Sequence, residues 1–370
     1  MYNRVLMMTM KSGLSGLFLI VVLSSTVSGL GSVLSLSFSH IPSHYTWQDA
    51  QSHCRSHYTD LATIYTKSDA DHMYLKQYYA WVGLHRETGN PKWIWTNGLN
   101  DYLAAWANNE PQNSDSCAFV SYNSKMFYGS NCGESLFFIC QKHIMPNFQY
   151  TFIPQSKNWS EAQQYCKKNY DYLAALTANF DMNSAVHEED FPVWTGLHRD
   201  EEIWKWSTGL SEYRNWASNE PGNNGDCVSI SSLKKEMATQ SCSARFPFVC
   251  FRDNLVLVKE NKTWEEALEH CRALVSQFNI RYELVSVQPG KDHKHLMTRI
   301  TEAVTEKVWT GLRFLAGHWL WVNGADMLYS DLPVCPTEGQ HCGALSKNET
   351  GSVESTDCLE KMNFLCYSTW

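Results

Sequence analysis

Apolar and small residues alternate in three short stretches: WVGL from Trp81, WTGL from Trp194 and WTGL from Trp309. Period-two alternation predicts strands with a buried face, so these three tryptophans are core candidates. Each strand is followed by a second aromatic signature: WIWTNG at Trp93, WKWSTG at Trp204 and WLWVNG at Trp319. Upstream, each copy opens with a short strand such as QYTFIP (149–154), then a helix with its own start signal. Thr46 with Asp49, Asn158 with Glu161, and Thr263 with Glu266 each place a cap residue three positions before a carboxylate. Four positions separate Ala50 from Cys54, Ala162 from Cys166 and Ala267 from Cys271, which puts each pair on one helical face, toward a core. A second helix is expected through KSDADHMYLKQ (67–77) and its counterparts. After the WxGL strand the chain is loop-rich, and short strands close each copy: CAFVSY and LFFICQ, CVSISS and PFVCF, CGALS and NFLCY.

The cysteines repeat with the same period. Cys54, Cys117, Cys132 and Cys140 form one set; Cys166, Cys227, Cys242 and Cys250 a second; Cys271, Cys342, Cys358 and Cys366 a third. There are 13 in all, with no CxxC pair, so the pattern reads as disulfides in an oxidising compartment rather than as metal sites. Four cysteines per repeat allow three pairings. Cys335 is left over, between Pro333 and Pro336, because Cys342 keeps the spacing to the third cysteine seen in the other copies. An odd cysteine in a secreted chain suggests a disulfide-linked homodimer, a reactive thiol or a buried inert one.

With 370 residues the chain has room for two or three domains. Its net charge of −8 argues against nucleic acid. Arg4 and Lys11 precede the apolar run LFLIVVL (17–23), and small residues follow, which reads as a signal peptide over residues 1–29 and a secreted product. The rival reading is a type II membrane anchor through residues 12–37, a stretch diluted by Ser, Thr and Gly. No later stretch is apolar enough to span, and none is expected at the C-terminus. Sequons at Asn158, Asn261 and Asn348 fit a secretory route.

Each repeat resembles a C-type lectin-like domain, on its helix with a cysteine, its WxGL strand, its WxW turn and its four spaced cysteines. The resemblance is also to part of the tandem array of mannose-receptor-type proteins. It implies an α+β fold of three domains, 33–142, 143–252 and 253–370, each with two helices flanking small antiparallel sheets, a long loop and two disulfides. By that resemblance the first cysteine pairs with the fourth and the second with the third: Cys54–Cys140, Cys117–Cys132, Cys166–Cys250, Cys227–Cys242, Cys271–Cys366 and Cys342–Cys358. Closing an outer loop of about 85 residues would constrain the unfolded chain by roughly 4–5 kcal/mol.

The resemblance also draws attention to WANNEPQNSDSC (106–117) and WASNEPGNNGDC (216–227). In lectins of this family a Glu-Pro-Asn loop, a carboxylate before the second cysteine and a Trp-Asn-Asp triplet before the third supply calcium with hard oxygens, and a cis proline converges the flanking side chains. The first domain keeps Glu110 and Pro111, has Gln112 for Asn, and offers Asp115; FYG (127–129) stands at the triplet. The second keeps Glu220 and Pro221 with Gly222, and carries Asn223, Asn224 and Asp226, with MAT (237–239) at the triplet. The third has VCPTEGQHC (334–342) and VES (353–355). No copy carries the full set, so any calcium is expected in the first domain only, weakly held through Glu110, Gln112 and Asp115. The bland reading of NEP is a turn kept for its shape.

The expected function is therefore extracellular recognition of carbohydrate, with an incomplete calcium site in the first domain. The alternative is calcium-independent binding of a protein or other surface ligand. Linked weak sites gain by avidity in either case. Enzyme chemistry is not expected: no HExxH occurs, and no suitably spaced Cys/His pair. His85 and His198 lack partners at ligand spacing, and KDHKHL (291–296) reads as a solvated helix start.

Overall fold

The structure, a computed structural model, describes residues 34–87, 90–100, 104–177, 179–274 and 280–369. The expected signal peptide, and all but residues 34–37 of the alternative anchor, lie outside the described residues. Among the described residues, three seven-stranded mixed sheets and six helices make three C-type lectin-like folds: α1 (Trp47–His57), α2 (Lys67–His72), α3 (Trp159–Asn169), α4 (Asn179–Ala185), α5 (Trp264–Ala273) and α6 (Lys291–Ile300). The predicted helix starts are present. Thr46, Asn158 and Thr263 accept hydrogen bonds from the N–H groups of Asp49, Glu161 and Glu266, satisfying donors the helix cannot. The alanine and cysteine of each pair are fully buried. So are Trp81, Trp194 and Trp309.

The chain divides into two units, one of residues 34–255 with 289–302, the other of residues 256–288 with 303–370. In the second unit the third repeat closes on itself. Strand Leu255–Lys262 pairs along a sheet whose order continues through Met362–Thr369, Lys307–Leu315, Cys342–Ser346 and Val353–Thr356. Cys271 is joined to Cys366 and Cys342 to Cys358. Trp264 and Trp309 each send an indole N–H to a backbone carbonyl, of Thr310 at 2.8 Å and Lys262 at 2.9 Å, locking helix to sheet.

The first unit is built differently. Its two sheets each draw on both of the first two repeats. Strand Leu36–Tyr45 of the first repeat runs antiparallel to Phe246–Asp253 of the second, with Phe38 opposite Phe251 and Ser39 opposite Cys250. Conversely, Asn147–Lys157 of the second repeat pairs with Leu136–Ile144 of the first, Cys140 opposite Thr151. The helices follow their strands. Trp47 of α1 bonds the Thr195 carbonyl and Trp159 of α3 the Val82 carbonyl, both at 2.8 Å. Trp194 reaches the Tyr45 carbonyl and Trp81 that of Lys157, both at 3.0 Å.

The exchange reaches through the second helices. Lys235, in the turn between two second-repeat strands, donates to the Met73 carbonyl just after α2, while Lys125 of the first repeat donates to the Val186 carbonyl after α4. In the third repeat, which does not exchange its strands, the matching pair is Lys347 with Ala303. The chain therefore crosses between sheets in residues 74–78 and again in 187–191. These two crossing segments touch: the Tyr78 hydroxyl donates to the His187 carbonyl at 2.8 Å, and Lys76 pairs with Glu188 at 2.8 Å.

Two expected disulfides are corrected accordingly. Cys54 is joined to Cys250, not Cys140, and Cys140 to Cys166. Each bridge still links a first-helix cysteine to a last-strand cysteine, but across the exchanged arms. The inner pairs are Cys117–Cys132 and Cys227–Cys242. A second correction concerns KDHKHL. It does begin helix α6, but His295 in it is buried, with Nδ1 against the Tyr65 hydroxyl and Nε2 against Asp253, both at 2.8 Å. An amphipathic helix hides one face, and the charged residues around His295 masked that face in the sequence.

Candidate functional site

Both NEP loops adopt the turn the sequence suggested. Glu110–Pro111 and Glu220–Pro221 are cis, and the preceding Asn109 and Asn219 take positive φ of 64° and 65°. Asparagine tolerates that region better than most residues.

What the loop carboxylates do next differs from metal ligation. Glu110 Oε2 accepts the Gly129 N–H at 2.9 Å. Asp115 is buried; its Oδ2 accepts the Gln112 N–H at 2.7 Å, and its side chain fills the space a Cβ on Gly129 would take. The Gln112 side chain, which would have supplied the third oxygen, is exposed. In the second loop Glu220 Oε2 takes three hydrogen bonds, from the Thr239 N–H at 3.0 Å, the Thr239 hydroxyl at 2.7 Å and the Gly222 N–H at 2.6 Å. Burial works to raise its pKa, but these donors outweigh it and hold the carboxyl below the usual carboxylate range. Asn223 and Asn224 are exposed, and so is Asp226.

An arginine that the sequence reading passed over fastens each loop. Arg86 Nη2 donates to the carbonyls of Gln112 and Asn113, each at 2.7 Å, and its Nε donates to the Asp115 carbonyl. Its guanidinium lies 5.1 Å over the Trp93 ring, and Trp93 in turn packs against Trp106 at 4.8 Å. Arg199 holds the second loop through the Asp226 carboxylate at 2.5 Å, lies 5.4 Å over Trp204, and Trp204 meets Trp216 at 5.3 Å. The signal was present: HR follows WxGL in both copies, and the third has RF instead. His85 and His198 pack on Trp159 and Trp47 at 4.7 Å, so they are helix-facing packing groups.

Calcium would need several hard oxygens converging on one point. Here two carboxylates are already engaged by strand and loop N–H groups, and a fixed guanidinium cation grips the same loop. The residues present do not fit the ion. Among the described residues no cluster of three or more His, Cys, Asp or Glu is arranged to hold a metal.

The profile of the family described as Lectin C-type domain matches residues 43–142, 155–252 and 260–368. The chain belongs to the C-type lectin domain family. Among its relatives, Lymphocyte antigen 75 of Homo sapiens is 22% identical over 335 residues, covering 75% of this chain and 20% of that protein. Secretory phospholipase A2 receptor of Oryctolagus cuniculus is 24% identical over 277 residues, covering 62% of this chain and 18% of that one. The chain thus spans about a fifth of the length of these curated relatives. Among solved structures, the C-type lectin CEL-I from Cucumaria echinata is 18% identical with a TM-score of 0.28, covering 31% of this chain and 89% of its own. C-type lectin domains recognise ligands and are not catalytic. No helix among the described residues is long and apolar enough to cross a membrane.

Cys335 is exposed and unbridged. Asn261 and Asn348 are exposed, and Asn158 is half-buried with its Oδ1 serving as the α3 cap.

Proposed function

We propose that this C-type lectin-like chain recognises an extracellular ligand without calcium, through the two arginine-fastened loops of its first two repeats. The observation that carries this is Glu220, whose Oε2 is committed to three internal donors, so the loop holds its shape with no ion. Glu110 and Arg86 act alike in the first loop. The loops present the exposed amides of Gln112, Asn113, Asn223 and Asn224, which offer donors and acceptors to a polar ligand. A glycan ligand is favoured over a protein surface by this density of small amides, whose donors and acceptors match a sugar's hydroxyls. Two linked weak sites would reinforce one another on a multivalent surface.

The same reading places the protein outside the cell, glycosylated at its three sequons, with a leader removed after about residue 29. It treats 33–142, 143–252 and 253–370 as the inherited repeats, and Cys335 as the residue through which two copies join by a disulfide. A glycan array probed with the secreted chain in calcium and in chelator tests the central point. Equal binding in both supports it. Binding abolished by chelator rejects it, and no glycan binding in either arm moves the ligand to the protein class.

A further inference from the structure

We infer that His53 and His57 on α1 form a two-histidine clasp for a divalent transition cation of the imidazole-preferring class, such as Zn²⁺, Cu²⁺ or Ni²⁺. The two residues are four apart on an eleven-residue helix, so their side chains share one face. That face flanks the side buried by Trp47, Ala50 and Cys54, with His57 exposed and His53 half-buried. The rings lie 4.5 Å apart, inclined by 25°.

Each ring is prepared as a ligand. His57 Nδ1 lies 3.0 Å from the His53 carbonyl and 2.8 Å from Ser56 Oγ. The Ser56 hydroxyl points its own proton at the same carbonyl, at 2.9 Å. A carbonyl only accepts, so the imidazole proton belongs on Nδ1 and the Nε2 lone pair is left outward. A second ring nitrogen donating to a backbone carbonyl is the support that metal-bound histidines use. The His53 ring is steadied by Phe248 at 5.3 Å and Tyr45 at 5.9 Å, both edge-on. The nearby Arg55 cation is turned to Asp60 at 2.9 Å. The sp³–sp² torsions of both rings are soft, so convergence of the two Nε2 atoms on one ion needs no backbone change. Water would fill the remaining positions. Nitrogen donors distinguish this site from the oxygen chemistry of the NEP loops.

The test is calorimetric titration of the full chain with Zn²⁺ and with Ni²⁺ near neutral pH, beside His53→Asn and His57→Asn. Metal-free melting curves first establish that each variant folds. The expected result is one equivalent bound by the wild type with a raised melting temperature, and an affinity lowered about tenfold or more in each variant. Unchanged affinity in both variants, or no binding by the wild type, overturns the clasp.

Discussion

Cys54 and Cys250 are joined by a disulfide although 196 positions separate them, and the bridge ties the first helix of one repeat to the last strand of the next. Non-reducing peptide mapping by mass spectrometry should therefore recover the Cys54 peptide linked to the Cys250 peptide, and the Cys140 peptide linked to that of Cys166. Recovery of Cys54 with Cys140 would mean that the repeats close individually.

The connecting hairpin gives a second check. Ile144, Met145 and Phe148 are all exposed at its tip. A protease nick there should leave the two fragments together on a non-reducing gel and separate them only with reductant. Fragments that part without reductant would contradict the exchanged bridges.

Acid should weaken the first unit in a defined window. His40 and His44 lie on the exchanged strand with three ring nitrogens buried and unpartnered. Burial, then Lys235, lowers the His40 pKa to about 4; burial, then His40, lowers that of His44 to about 3. Both stay neutral when folded, while the unfolded chain protonates near the ordinary imidazole value of 6.5. Stability is thus full above that value and lost progressively as pH falls through about 4 and about 3, a contribution on the order of several kcal/mol. Melting temperatures from pH 7 downward should fall, and His44→Phe should flatten the decline. A wild-type curve with no slope below pH 6.5 would discount these residues.

Thr239→Val removes one donor to Glu220 while keeping size. It should cost about 1 kcal/mol in denaturant unfolding and leave the fold intact. A change near zero would show that the hydroxyl does not hold the carboxylate.

Calcium itself should do little. If the loops hold their shape without an ion, a few millimolar calcium should leave the melting temperature of the whole chain where chelator leaves it. An upward shift that Glu110→Ala abolishes would restore the metal reading.

Local chemistry made much of this legible in advance. The caps at Thr46, Asn158 and Thr263 and the paired faces of Ala50 with Cys54 depend only on neighbours three and four positions away. The exchange was not legible, because the arms are chemically interchangeable. Trp47 and Trp159 make the same indole bond to their respective sheets. Loop closure does not choose either: in the entropy model the exchanged outer bridges and the self-contained ones both sum to about 9 kcal/mol. The crossing segments make contacts of their own, such as Tyr78 with His187, and these carry no periodic signature. At the loops, Glu110 and Glu220 could be named from sequence. Their engagement by the N–H groups of Gly129 and Thr239 could not, since every residue but proline carries that donor.

The bridge between Cys54 and Cys250 also sets how the chain bears load. Tension drawn along the backbone enters at Cys54 and leaves at Cys250 through one covalent S–S link, so everything between them is mechanically bypassed. Had each repeat closed on itself, the stretch between Cys140 and Cys166 would have stood in the force path. Stretched under oxidising conditions, the first two repeats should hold their length as a single inextensible link. Once reductant has cut that link and the three bridges it encloses, 196 positions are free to extend, on the order of 650–700 Å of contour.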